Sequence, residues 1–224
     1  MAETLTKQAQ SKKTAKTDYL NDKEKLVGWY RLLSLGRRLD IKAANYLKQA
    51  KGWSYHAPYA GHDAIQMALG LAFRPGKDFL FPYYRDMMTC LAAGLTPEEI
   101  ILNGLSRATD VASGGRHMSN HFAKPAIHIQ NVSSCTGNHS QHAVGTARAI
   151  KKYHDDAISF YSGGESATSE GFFYEAVNGA SREQLPIIFV IQNNHYGISV
   201  PVEEQTANTR VSDNFTGFKN LKII

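Results

Sequence analysis

The chain of 224 residues has only two cysteines, Cys90 and Cys135. Neither belongs to a Cys-x-x-Cys pair, which excludes a disulfide scaffold and a four-cysteine zinc site. A reducing compartment fits: the cytoplasm or, in a eukaryote, the mitochondrial matrix. No run approaches the roughly 18 apolar residues that a membrane span requires, and no signal peptide is visible. There is no internal repeat. The first sixteen residues have neither arginine nor an apolar period, and Lys7, Lys12, Lys13 and Lys16 meet only Glu3 there. Such a stretch cannot bury a core, so residues 1–20 are expected to be a disordered tail rather than a transit peptide. Beyond the tail the charges nearly balance, so the formal net charge of +5 marks no nucleic-acid surface. The whole chain is 42% hydrophobic and 20% charged, as in globular proteins, and residues 21–224 are expected to form one domain.

Periodicity supplies the elements. Residues 22–50 read as a helix with Leu26, Tyr30, Leu33 and Arg37 on one stripe and Trp29 and Leu32 beside it. Gly52 to Gly61 is a loop rich in aromatics, His62 to Phe73 a helix, and Asp78 to Phe81 a short strand stopped by Pro82. Tyr83 to Gly94 reads as a helix ending on glycine. Thr96-Pro97-Glu98-Glu99 carries a capping box that opens another, expected to reach Ser106. Residues 107–133 form a long loop with His117, His121 and His128. Gly137 to Tyr153 is helical, and 197–219 read as loop. The apolar run beginning at Asn220-Leu-Lys-Ile-Ile224 leads to the expectation of a last strand or, preferably, of a chain that continues.

The stretch from Gly164 to Asn194 organises the rest. An apolar run, Ala157 to Tyr161, feeds Gly-Glu-Ser-Ala-Thr-Ser-Glu-Gly at 164–171, and a second, Ile187 to Ile191, delivers Asn193 and Asn194. Thr168 or Ser169 is placed to cap the intervening helix, whose free N–H groups would face an anion. In a parallel sheet the crevice outside the carboxyl ends of the strands is the ligand position. A carboxylate at one strand end and a carboxamide at the next suit one hard cation, with phosphate oxygens completing its shell. The plain alternative is a strand–helix turn with a solvated glutamate. Likewise Tyr83-Tyr84-Arg85 is either a surface helix start or a phosphate clamp. His117 and His121, four apart, would pair on zinc only on a helix, which the preceding Gly114-Gly115 disfavours.

The glycine–acid start, about thirty residues, then Asn-Asn resembles the thiamine diphosphate motif, read here as Gly164-Glu165-Ser166 and Asn193-Asn194. Its continuation, Ala-Thr-Ser-Glu-Gly at 167–171 and Asn-Asn-His-Tyr-Gly-Ile-Ser at 193–199, resembles the alpha subunit of the first component of 2-oxo acid dehydrogenases, over about residues 25–224. The resemblance implies an α/β fold, a mostly parallel sheet flanked by helices that binds thiamine diphosphate and Mg²⁺. Glu165 in place of the usual Asp, Asn194 and the Tyr196 carbonyl would hold the metal. Gly164, Ser166 and Ala167 would line the cofactor, and Ile198 would prop it into its bent shape. Arg85, with Tyr83 and Tyr84 beside it, would clamp phosphate. Ser134 and the Thr136 carbonyl would meet the cofactor, and His121 would face substrate as a proton donor or oxyanion partner.

This chain departs from the family at Cys135, Thr136, Asn138 and His139, where some relatives hold a structural potassium. It departs again at Gln192, where branched-chain relatives set an arginine against the diphosphate. By the same resemblance a beta subunit, or a fused beta half, completes the site of a heterotetramer, and the acyl group passes to the lipoyl arm of an acyltransferase. The reaction implied is oxidative decarboxylation of a 2-oxo acid. The alternatives are a transketolase-like enzyme and a non-catalytic scaffold.

Overall fold

Three short strands run parallel in the order of the chain: β1 (Phe79–Phe81), β2 (Ser159–Gly164) and β3 (Ile187–Gln192). The computed structural model describes residues 21–224, and the expected tail lies outside the described residues. Phe81 is level with Tyr161, and Gly164 with Gln192, so all three strands end at one edge of the sheet. Side chains alternate across the strands. Leu80 and Phe160 enter one core with Leu39, Tyr59, Met88 and Leu91, while Phe81 and Tyr161 enter a second with Phe173, Val177 and Phe215. Both faces are therefore apolar and covered, as a parallel sheet requires. This is the expected α/β fold.

Helices α1 (Lys23–Lys48), α2 (Asp63–Ala72) and α3 (Met87–Ala93) supply the first core. The inward row of α1 differs from the expected stripe: Tyr30 is 72% exposed, and Arg37 reaches out to Asp63 at 3.3 Å. The row that packs is Trp29, Leu32, Leu33, Gly36, Leu39, Ala43 and Tyr46. Gly36 sets the rotation, because the Tyr59 hydroxyl and the Met88 sulfur lie 2.7 Å from where a Cβ would sit. No helix among the described residues is long and apolar enough to cross a membrane.

α3 begins at Met87, four residues later than its spacing suggests. The Asp86 carboxylate accepts the Tyr83 N–H at 2.7 Å, and this turn holds Tyr83, Tyr84 and Arg85 at the end of β1. Gly94 closes α3 with φ 119°, as expected of a C′ glycine. α4 (Pro97–Gly104) has both arms of the capping box formed and stops two residues short of Ser106, whose φ of 51° is incompatible with a helix. The long loop contains a 3₁₀ turn, Pro125–Ile127, flanked by isolated bridges from Ile129 to Lys124 and to Leu80 of β1. α5 (His139–Lys152) and α6 (Gly171–Glu183) cover the second face.

β2 runs three residues past Tyr161, because the ladder to β3 continues through Gly163 and Gly164. α6 is not capped by Thr168 or Ser169. A 3₁₀ turn, Ser166–Ser169, intervenes; the Thr168 hydroxyl donates to the Glu165 carbonyl at 2.6 Å, and that of Ser169 to the Gln205 carbonyl at 3.3 Å. Past β3 the expected loop contains a hairpin, β4 (Tyr196–Gly197) with β5 (Val200–Pro201), then α7 (Val202–Gln205) and a 3₁₀ turn, Val211–Phe215. Residues 221–224 form no strand, and Leu221 packs on the second core.

Candidate functional site

At the carboxyl ends of the strands lies a cavity of about 550 Å³, within the usual range for small-molecule sites. The turn after β1 brings Tyr83, Tyr84 and Arg85 to it, and the 3₁₀ turn after β2 brings Glu165, Ser166 and Ala167. The segment after β3 contributes Asn194, Tyr196 and Ile198, and Thr136 arrives from the loop before α5. Most of the residues expected at the site thus share one wall or another of one cavity, though they span more than a hundred positions in sequence.

Glu165 is 4% exposed, yet forms no ion pair among the described residues. Its carboxylate accepts only long bonds, from the Ser166 hydroxyl and the Asn194 N–H, both at 3.3 Å. A buried carboxylate with weak partners is costly unless a cation or ligand joins it. Asn194 Oδ1 accepts the Tyr196 N–H at 3.0 Å, an Asx turn that leaves its second lone pair free. His195 and Ile198 have φ of 68° and 59°, and the Ile198 side chain is fully exposed. A β-branched residue in left-handed backbone is strained, here at the lip of the cavity.

On the β1 side, Arg85 donates from Nη1 to the Pro58 carbonyl at 2.6 Å, so the guanidinium is anchored at one end. The Tyr83 and Tyr84 hydroxyls share a 2.5 Å bond, and burial pushes the Tyr83 hydroxyl well above its ordinary range. Gly164 does not line the cavity but permits this arrangement: a Cβ there would lie 2.8 Å from the Tyr83 hydroxyl.

Besides Gly164, three expected residues, Gln192, His121 and Ser134, lie outside the cavity lining. Gln192 is buried at 4% and turns inward, donating to Asp86 Oδ1 and to the Ser162 hydroxyl and accepting from Gln66. Asp86 itself is fully buried, and burial raises its carboxyl above the ordinary value in spite of donors from Tyr83, Thr89 and Gln192. His121 is 2% exposed and outside the cavity lining. Its Nδ1 meets the Ser119 carbonyl at 3.2 Å and must donate, so Nε2 accepts from the Ser134 hydroxyl at 2.8 Å. Burial lowers its pKa, which favours the neutral ring. Ser134 borders a separate, water-sized pocket with Thr136 and His139.

Other lining residues had not been singled out: Tyr55, His56, Ala57 and Pro58 from the loop before α2, and Val200 and Gln205 after the hairpin. The aromatic richness of the loop was the available signal. Its most polar feature was not readable, because the partner of His56 is Asp40, sixteen residues earlier on α1.

Comparison with known proteins identifies the family. Over 199 residues the chain is 35% identical to the 2-oxoisovalerate dehydrogenase subunit alpha of Bacillus subtilis, covering 89% of this chain and 60% of that protein. It is 31% identical over 208 residues to the 3-methyl-2-oxobutanoate dehydrogenase subunit alpha of Mycobacterium tuberculosis (92% and 53%), and 30% identical over 198 residues to a pyruvate dehydrogenase E1 component subunit alpha of Acholeplasma laidlawii (88% and 53%). The chain thus spans somewhat over half the length of these relatives. The sequence model of the dehydrogenase E1 component matches residues 30–223, nearly all of the described chain, and the protein belongs to that family.

Proposed function

We propose that the cavity holds thiamine diphosphate through Mg²⁺, and that the chain forms the alpha half of a 2-oxo acid dehydrogenase. The observation that carries this is Glu165: a buried, unpaired carboxylate at the end of β2, its side chain already touching the Asn194 N–H at the end of β3. Glu165, Asn194 Oδ1 and the Tyr196 carbonyl would supply the metal's protein oxygens, a hard, oxygen-only set suited to Mg²⁺. Among the described residues no cluster of three or more His, Cys, Asp or Glu could bind a metal, and the proposed set is of a different kind. Bound there, the cofactor supplies the electron sink for decarboxylation.

The chain's own residues bind and orient. Arg85, fixed at one end by the Pro58 carbonyl, has N–H groups left for phosphate oxygens. Ser166 and Ala167 lie on a turn whose backbone lines the cavity. Gly164 and Gly197 permit close approach: side chains there would strike the Tyr83 hydroxyl and Ser166 respectively. Gln192 contributes indirectly, holding Asp86 and thereby the turn that presents Arg85. His121 serves as a proton donor or oxyanion partner once Ser134 releases Nε2 and that nitrogen takes up a proton.

The substrate is a 2-oxo acid, and the products are CO₂ and an acyl group passed to a lipoyl-bearing acyltransferase. A beta chain, separate or fused, covers the exposed lip at Tyr196, Ile198 and Val200. Calorimetry with Mg²⁺ and thiamine diphosphate on the protein with its beta partner tests the reading. Magnesium-dependent binding is expected, and no heat under saturating conditions would sink it.

A further inference from the structure

One cavity group has no role in the reading above. His56 Nε2 lies 2.8 Å from Asp40 Oδ1, and the two side chains retain only 6% and 8% of their accessible surface. An ionised carboxylate only accepts, so Asp40 places the hydrogen on Nε2 and fixes the ring's orientation. The other nitrogen, Nδ1, has no hydrogen-bond partner among the described residues and is not one of the fully enclosed unpartnered atoms, and His56 is among the residues that line the cavity. Arg85 is in the same lining, tied to the carbonyl of Pro58 two residues beyond His56.

A polar pair this buried contributes little to stability on its own account, since desolvation offsets the attraction. A carboxylate that orients an imidazole whose second nitrogen is unpartnered, in a residue that lines a ligand cavity, suits a ligand-contacting histidine. His121 is the internal contrast: both of its nitrogens are already engaged within the chain.

We propose that His56 contacts the ligand through Nδ1, and that Asp40 is its positioning residue. The recognised chemistry is an anionic oxygen: with Nε2–H held by Asp40, a ring that takes up a second proton on binding meets it as a hydrogen-bond donor at Nδ1. Two parts of the expected ligands have that chemistry: the diphosphate of the cofactor and the carboxylate of the 2-oxo acid. The inference rests on the cavity being the ligand site of the proposed function.

The test uses the full chain with its beta partner and reads binding by calorimetry in two arms: inorganic pyrophosphate with Mg²⁺, and an acyl phosphonate analogue of the oxo acid that cannot lose CO₂. His56→Gln keeps an amide near the Nε2 position, able to bond Asp40, and removes Nδ1. It should weaken one arm about tenfold and leave the other within about twofold. Loss confined to pyrophosphate assigns the diphosphate, and loss confined to the analogue assigns the carboxylate. Asp40→Asn should weaken the same arm by a smaller factor, and it decides the matter if His56→Gln does not fold. Unchanged affinity in both arms overturns the proposal. So does equal loss in both arms with a lowered melting temperature, which marks a structural role. Wild-type protein that binds pyrophosphate but gains nothing from the thiamine moiety overturns the cofactor reading while leaving the His56 comparison intact.

Discussion

The residues gathered at the strand ends fall into two regions that differ in what their polar atoms have left to offer. Behind the cavity, Asp86, Gln192, Ser162 and Gln66 are linked by hydrogen bonds, with Gln66 Oε1 left without a partner, and His121 is closed between Ser119 and Ser134. On the wall and lip, Glu165 has only 3.3 Å partners, His56 has a spare nitrogen, and Ile198 stands fully exposed in left-handed backbone. The first region places a turn, and the second keeps its capacity for something outside the chain. Substitutions behind the cavity should therefore cost folding stability, and those on the wall should cost binding.

The largest separation is expected at Glu165. Glu165→Ala should lower magnesium-dependent thiamine diphosphate affinity by about 100-fold or more, measured by calorimetry. The melting temperature of the ligand-free protein should not fall, because an unpaired buried carboxylate is removed. Retained affinity would remove Glu165 from the metal set. Asp86→Ala should do the reverse. It strands the Tyr83 N–H, the Thr89 hydroxyl and the Gln192 carboxamide, and should cost about 4 kcal/mol of unfolding free energy in denaturant titration. A loss below about 1 kcal/mol would mean that the network adjusts freely.

The pH dependence of stability should come from the same closed region. His139 Nε2 donates to the Ser162 carbonyl, and burial lowers its pKa to about 4. A depressed histidine contributes stability in full above its ordinary value near 6.5, and the contribution is lost as pH falls towards 4. The shift corresponds to roughly 3 kcal/mol over that window. His139→Asn should flatten the acid limb of stability between pH 6.5 and 4 relative to wild type. An unchanged slope would assign that limb to other groups.

The division also accounts for what the sequence could disclose. The capping box at Thr96 is local and was legible from neighbouring residues, and the Gly164–Asn194 motif was legible from its spacing; the end of β2 was not, because its last three residues are held by pairing with β3. The α1 stripe was misplaced because the helix is rotated by a contact at Gly36 with Tyr59 and Met88, which are remote in sequence. The start of α3 was misjudged because one carboxylate, Asp86, accepts a backbone N–H three residues upstream. Thr168 and Ser169 have the chemistry of caps, and their hydroxyls are committed instead to the carbonyls of Glu165 and Gln205. Among the site residues, motif spacing placed Glu165 and Asn194 but could not tell whether a histidine's nitrogens would be free. That depends on Asp40 for His56 and on Ser134 for His121.

Ile198 gives the smallest effect and the cleanest test of the division. Its side chain touches solvent on all sides, so replacing it removes almost no buried surface. Its φ of 59° costs an L residue about 1 kcal/mol or more, and a β-branched one more than most. Ile198→Gly should therefore hold or raise the stability of the ligand-free protein; the relief of strain, about 1 kcal/mol, is partly offset by the greater freedom of glycine when unfolded. The same change should weaken thiamine diphosphate binding, because an apolar contact at the lip is lost. Ile198→Asn separates the two causes: asparagine tolerates the left-handed region but offers no apolar face. If both variants keep full affinity, the strain at 198 has no part in holding the ligand.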